Sequence, residues 1–403
     1  MAEVIDVLYI SYNGIDEPLV HSQVLNYLRC LSQRGYRFTL LTFERPAAAT
    51  TDSAATRAHL AALGIAWHGV AAHRGWGALS SLRDVLTGMA AARHLLHTQP
   101  MHLVHARSFI PALIAWRLAR RTGLPFVNDL RGFWVDEKVY RGRLREGGLV
   151  YRLAKQLEGR VLRASGAIIS LSDRGSRALR DFAIWHGRSL PPMATIPTCV
   201  DTDRFVPGVR APAPQRVFGY VGSLSAEYLP EQIVGYFAKA LARFPGSCLQ
   251  LISRSNAAPI LALAAQHGLP PDSIRLVALR PEQVPAEIVR FDVALSFIRP
   301  HFSKLASCPT KVGEYLAAGV PVVGNAGIGD MDGLLGDGRV GFLLRDFDAG
   351  SIEDSFRHLQ SLWDDAGLGM RCRAVALAQF SLREGVDRYD NTYRMLLAQD
   401  QRP

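Results

Sequence analysis

The stretch richest in usable chemistry is Ser307-Cys308-Pro309-Thr310-Lys311-Val312-Gly313-Glu314, which continues through Tyr315 and Gly319 into Val320-Pro321-Val322-Val323. It reads as a loop, a helix beginning near Thr310, a glycine stop and a buried strand. Pro309 just ahead of the first turn and Gly319 behind the last are good start and stop residues. A helix start at the C-terminal edge of a parallel sheet presents unbonded backbone N–H groups and a partial positive charge, which together suit a diphosphate. Lys311 adds a full charge. Glu314, one turn on, offers a carboxylate to ribose hydroxyls. The same pattern also describes an ordinary crossover helix with a capped start, so the motif alone leaves both readings open.

Further polar groups stand at the ends of apolar runs. Asp129 and Arg131 follow Pro125-Phe126-Val127-Asn128. Arg107 comes just after His102-Leu103-Val104-His105, where it either meets an acceptor phosphate or is a plain surface arginine. Gly14 closes the turn Ser11-Tyr12-Asn13-Gly14; it lets backbone approach a substrate, or it is simply a turn glycine. Neither Asp330 nor Asp332, in the Gly-rich loop after Val323, has the spacing of a metal site, and no metal is expected. The five cysteines are far apart and show no CxxC spacing, so neither a disulfide framework nor a zinc site is suggested.

The elements that must carry these residues alternate. Val4–Ile10 is a short apolar strand, a helical pattern runs from about Val20 to Gln33 and stops at Gly35, and Phe38–Phe43 is the next strand. The alternation returns at His102–His105, Pro125–Asn128 and Ala167–Leu171, which predicts a mostly parallel sheet covered on both faces. A proline-rich passage from Pro191 to Pro214 then reads as a linker. A second series follows at Arg216–Gly222, Leu249–Ser253, Asp292–Phe297 and Val320–Val323. The expected organisation is a Rossmann-like domain over residues 1–196, a linker over 197–215 and a second Rossmann-like domain over 216–381. Segment 382–403 would be a helix returning to the first domain, with Val386, Tyr389, Tyr393, Leu396 and Leu397 on its apolar stripe. Two doubly wound domains joined by a hinge suggest a ligand cleft between them.

The run Pro309–Val323 resembles the donor-binding signature of glycosyltransferase family 4, whose fold is GT-B and which needs no metal. Tyr220-Val221-Gly222-Ser223-Leu224 resembles the glycine turn that opens the family's second domain, and Thr198–Phe205 its interdomain passage. Gly338–Leu344 resembles the family's tail motif. Asn128–Glu137, with Trp134 inside it, resembles an N-domain motif of a bacterial branch often found near polysaccharide assembly genes. The resemblance covers nearly the whole chain. It implies an α/β protein of GT-B fold, two doubly wound Rossmann-like domains facing each other across a cleft, that retains configuration while moving a sugar from a nucleotide diphosphate-sugar. It also implies donor contacts at Gly14, Gly222, Ser223, Ser307, Pro309, Thr310, Lys311, Glu314 and Asp330, acceptor contacts at Arg107 and Trp134, and catalytic roles for Asp129, Arg131 and Lys311.

Three departures stand out. The family's signature has two Glu residues eight apart, and the first position here is Ala306; Lys304 or the Ser307–Thr310 backbone is the candidate substitute. No early Lys follows Gly222, where Glu227 stands instead, leaving Arg254 and Lys311 as the phosphate candidates. Asn128 occupies a place where relatives carry His.

Charge divides the chain. Of the net +10, residues 1–196 hold 25 Lys and Arg against 14 Asp and Glu, whereas residues 197–403 hold 21 against 22. The run from Lys138 to Arg188 is the densest, including Arg141, Arg143, Arg145, Arg152, Lys155, Arg160 and Arg163. Such a lobe faces an anionic lipid surface or phosphorylated acceptor, or is a solvated arginine-rich face. No aromatic platform or recognition motif accompanies it, so nucleic acid is not expected as a partner. No apolar stretch approaches the roughly 20 residues of a membrane span and no secretory leader precedes Val4, so a cytoplasmic, peripheral protein is expected. A nucleotide sugar as co-substrate, a glycan or lipid-linked acceptor and no further cofactor complete the expectation. A sugar-nucleotide epimerase of the same fold, or a non-catalytic nucleotide-sugar-binding subunit to which Ala306 points, are the rival readings.

Overall fold

Short apolar runs and amphipathic helices assemble into two parallel sheets in the computed structural model, which describes residues 4–45, 53–73, 78–185, 189–208 and 215–400. The chain divides into one compact unit of Met1–Pro197 with Leu382–Pro403, and a second of Thr198–Ser381.

The first unit's strands are β1 (Ile5–Ser11), β2 (Tyr36–Glu44), β3 (Ile65–Ala71), β4 (Leu103–Arg107), β5 (Phe126–Asp129), β6 (Ala167–Ser170) and β7 (Met193–Thr195), in spatial order β3-β2-β1-β4-β5-β6-β7. The order reverses between β1 and β4, and in open sheets of this kind ligands bind outside the carboxyl ends of the strands at that point. Strand alternation sorts the side chains. Leu8, Ile10, Val104 and Ala106 turn to one face, where they pack with Val85, Met89, Ile110 and Ile114 of helices Ala78–Thr98 and Phe109–Thr122. Tyr9 and His105, paired in register, turn to the other face, as does Arg107 opposite Asp129. Helix Leu382–Asp400 covers that face with buried Val386, Tyr389, Tyr393 and Leu396, and Asp390 accepts a bond from Tyr36 Oη at 2.6 Å.

The second unit carries β8 (Val217–Val221), β9 (Cys248–Ile252), β10 (Ile274–Val277), β11 (Val293–Ser296), β12 (Val322–Asn325) and β13 (Gly341–Leu344), in order β10-β9-β8-β11-β12-β13. Its reversal falls between β8 and β11. Helix Thr310–Ala317 enters from the loop after β11, and its buried Val312, Tyr315 and Leu316 lock it into the core.

The proline-rich passage is less of a linker than its composition implies. Ile168 N donates to Pro192 O at 2.9 Å, and Met193–Thr195 then forms the edge strand β7. Downstream, Val200 and Phe205 lie in the second unit's core, and Val200 bridges Ser381. Buried apolar side chains between the prolines tie the backbone down. Residues 209–214 of the expected linker lie outside the described residues.

Candidate functional site

In the second unit, polar groups gather where β8 ends and helix Thr310–Ala317 begins. Pro309 is the N-cap in extended conformation, so Thr310 and Lys311 occupy the first turn. The Lys311 ammonium sits 3.9 Å from the Tyr220 ring centre and 4.4 Å from that of Tyr228. Nζ is enclosed and has no hydrogen-bond partner. Burial pushes its pKa down to about 7, against a smaller opposing pull from Glu314. Burial likewise pushes the Glu314 carboxyl up to about 7, opposed by Arg204 and Lys311. Gly222 has φ 131°, a conformation L side chains rarely adopt, and a Cβ there would stand 3.2 Å from Lys311 Nζ. Tyr315 Oη accepts from Val221 N at 2.7 Å, and Tyr220 Oη donates to the Ser223 carbonyl at 2.5 Å. The strand end and the helix start are therefore bolted together around an amine that lacks a counter-charge.

The loop before that helix is fixed rather than free. Thr198 Oγ1 donates to Cys308 O at 2.8 Å, and Ser307 follows the turn Phe302–Ala306 in which Ala306 is buried. Lys304 is engaged elsewhere in the loop: its buried ammonium pairs with Glu227, and its carbonyl accepts from Gly329 N at 2.8 Å. That ion pair ties the loop after β8 to the loop after β11. Asp332 serves its turn by accepting from Gly327 N at 3.0 Å, while Asp330 is exposed at the next helix start. Arg254, after β9, is exposed as well.

In the first unit a second polar cluster occupies the closed face and the edge of the sheet. Asp129 Oδ2 accepts from Arg131 Nη2 at 2.5 Å, from His105 Nε2 at 3.1 Å and from Tyr389 Oη at 3.1 Å. Because the carboxylate can only accept, Nε2 carries the imidazole proton and Nδ1 accepts from Tyr393 Oη at 2.7 Å. Tyr9 stacks on His105 with ring centres 4.2 Å apart. Arg107 is 3% exposed and its Nη1 donates to Asn13 Oδ1 at 3.3 Å. The alternative of a surface arginine is thus corrected: His105 and Arg107 are both within β4, and two-residue periodicity buries them together.

The charges of this cluster are well separated in their titration. Burial alone would raise the Asp129 carboxyl, but Arg131 and the His105 bond outweigh it and hold the group well below the usual carboxylate range. Burial pushes His105 down, so the imidazole is neutral. Burial and the neighbouring Arg131 charge push Arg107 down, whereas Asp129 overcomes burial to push Arg131 up. Two guanidinium groups accordingly face one carboxylate.

Gly14 has a structural reason of its own. A Cβ there would come 2.8 Å from Glu44 Oε2 and 3.2 Å from Phe43 O, so a side chain at this position would crowd β2. Trp134 is half-buried, stacked on Phe109 at 4.8 Å with Lys138 Nζ 4.7 Å from its ring centre. Lys155, counted above in the basic run, is an internal ion centre bonded to Asp136 at 2.9 Å and Glu158 at 2.5 Å. Among the described residues no group of three or more His, Cys, Asp and Glu is arranged to hold a metal ion, and no helix is long and apolar enough to cross a membrane. Sequence reasoning assigned no site role to Tyr9, Tyr220 or Tyr228, and showed Tyr389 and Tyr393 only as core. For Tyr9 and Tyr220 the available signal was a polar-tipped aromatic inside an otherwise apolar strand.

Comparison with known proteins bears on the fold. Residues 20–197 match the model of a glycosyl transferase 4-like domain. No curated protein compared with the chain matches it in sequence. Among solved structures, sucrose-phosphate synthase from Thermosynechococcus elongatus superposes with a TM-score of 0.75 at 15% identity, over 98% of this chain and 100% of that one. A glycosyltransferase from Rickettsia africae gives 0.72 at 12% identity, over 98% and 99%. Anabaena Alr3699/HepE, solved with UDP and glucose, gives 0.68 at 15% identity, over 97% and 100%. The two doubly wound units are those of the GT-B glycosyltransferase fold. Residues 20–197 thus carry a glycosyl transferase 4-like domain, within a chain whose two units have the GT-B fold.

Proposed function

We propose that the chain is a metal-independent, retaining glycosyltransferase that moves a sugar from a nucleotide diphosphate-sugar to a hydroxyl of a glycan or lipid-linked acceptor. The observation that carries the reading is the buried, unpartnered Lys311 amine at the start of helix Thr310–Ala317, beside the positive-φ Gly222. A diphosphate placed there supplies the missing counter-charge and accepts from the helix's first N–H groups. As the glycosidic bond to the diphosphate breaks, negative charge builds on the leaving oxygens. A preorganised ammonium and helix start stabilise that charge without reorganisation. Glu314, one turn on, accepts from ribose hydroxyls. The Anabaena protein of the same fold was also solved with UDP-glucose, which supports this class of donor. In a retaining reaction the acceptor hydroxyl attacks the face that the diphosphate leaves, so the protein's task is chiefly electrostatic.

Purified protein incubated with UDP-, GDP-, ADP- and CDP-sugars tests the reading. Release of free nucleotide supports a transferase, whereas an isomerised donor would mean an epimerase and binding without turnover a non-catalytic subunit. Lys311→Ala and Glu314→Ala are each expected to weaken donor use by about 10- to 150-fold. That range corresponds to loss of a charge-assisted hydrogen bond of about 1.5–3 kcal/mol. Wild-type affinity and turnover in both variants would show that the donor is held elsewhere.

A further inference from the structure

Among the described residues, the first unit holds two buried guanidinium groups against one shared carboxylate, and several of their nitrogens have no hydrogen-bond partner. Arg107 is buried, and its Nε has no hydrogen-bond partner. Arg131 spends Nη2 on Asp129 and Tyr389, while its Nε and Nη1 are likewise enclosed without partners. Asp129 is the carboxylate shared by the cluster, and His105 is neutral. One positive charge is therefore left over in a desolvated place, an arrangement that a protein tolerates at a cost in stability. The two arginines also stand at the carboxyl ends of β4 and β5, at the side of the sheet where the strand order reverses. Helix Phe109–Thr122 starts two residues after Arg107, and its N-cap Ser108 makes no side-chain capping bond. The helix's partial positive charge thus adds to the guanidinium charge rather than being capped by the protein.

We propose that Arg107, Arg131 and the first turn of helix Phe109–Thr122 bind an anionic group, phosphate or carboxylate, carried by the acceptor. The inference rests on the transferase reading and narrows it to acceptors bearing such a group. Asp129 is then a positioning residue that aims Arg131, and Trp134 is stacked on Phe109 of that same first turn. A solely structural Arg107 would have its donors paired, as Lys155 does with Asp136 and Glu158.

The test uses inorganic phosphate as probe, read as the rise in Tm over chloride at matched ionic strength. Wild-type protein, wild-type protein saturated with UDP, and Lys311→Ala are all expected to show the rise. Arg107→Met and Arg107→Gln are expected to lose it, with phosphate affinity at least about tenfold weaker, as removal of one charge-assisted hydrogen bond implies. Arg107→Lys should recover part of it. In phosphate-free buffer Arg107→Met should be as stable as wild type or more so, because an unneutralised buried charge has gone; a structural arginine would instead lower Tm. A rise that persists in Arg107→Met and Arg107→Gln overturns the proposal. So does a rise abolished by UDP or by Lys311→Ala, since the phosphate would then be read at the donor site. Failure of UDP to bind wild-type protein, with the phosphate pattern intact, would count against the transferase reading alone.

Discussion

At the scale of single residues, burial acts on Lys311 and Glu314 in opposite senses. Both are brought to about 7 from opposite directions, the amine down and the carboxyl up. At pH 8 most Lys311 is neutral in the free protein, and on the proposed donor reading it regains its proton when a diphosphate binds. UDP binding at pH 8 should therefore take up protons, seen in calorimetry as an apparent enthalpy that changes with the ionisation enthalpy of the buffer. Lys311→Arg, charged at all these pH values, should bind with no uptake. Buffer-independent enthalpy in the wild type would show that Lys311 is not the group that meets the phosphates. This pair was legible in the sequence because Lys311 and Glu314 lie three residues apart on one helix with its start and stop residues beside them. Tyr220 and Tyr228, which enclose the amine, come from about 85 residues earlier and were not.

At the scale of elements, the closing helix Leu382–Asp400 completes the first unit's sheet. Its apolar stripe was readable from spacing. Its contribution of two phenols to a buried polar cluster was not, since Tyr393 and His105 are 288 residues apart. Strands β3, β7 and β10 escaped notice for a related reason. β3 is an edge with mostly exposed side chains, β7 is three residues long behind two prolines, and β10 is a four-residue edge. Tyr393→Phe would leave His105 Nδ1 buried without a donor, at a cost of about 1–3 kcal/mol. Urea unfolding should show that loss while UDP affinity is unchanged, because the proposed donor residues Lys311 and Glu314 belong to the other unit. Asp129 gives the same cluster a pH signature. Its folded pKa is depressed, so its stabilisation is complete above the ordinary carboxylate range near pH 4 and drains as pH falls further. Asp129→Asn should flatten that acid limb of the stability curve.

At the scale of the whole molecule the asymmetry of charge leads to a prediction about anionic surfaces. Lys155 is removed from the basic run by its internal ion pairs, but Arg141, Arg143, Arg145 and Arg152 are exposed. Beside them, at the start of helix Leu149–Ala164, Leu149 is 74% exposed, Val150 60% and Leu153 56%. Apolar tips among arginines suit a bilayer with anionic headgroups better than they suit water, since each basic residue near such a surface contributes about 1 kcal/mol and the apolar side chains add burial. The attraction decays within a Debye length of about 8 Å at physiological salt, so it should be reversible. Sedimentation with vesicles is expected to show binding to phosphatidylglycerol-containing membranes at low salt, weaker binding at high salt and little to neutral ones. Replacing Arg141, Arg143 and Arg145 with Glu should abolish the binding while leaving UDP affinity intact. Replacing Leu149 and Leu153 with Ser should reduce it and leave its salt dependence in place, because the electrostatic part is untouched. Equal sedimentation with neutral and anionic vesicles, or none with either, would make a soluble acceptor the better reading.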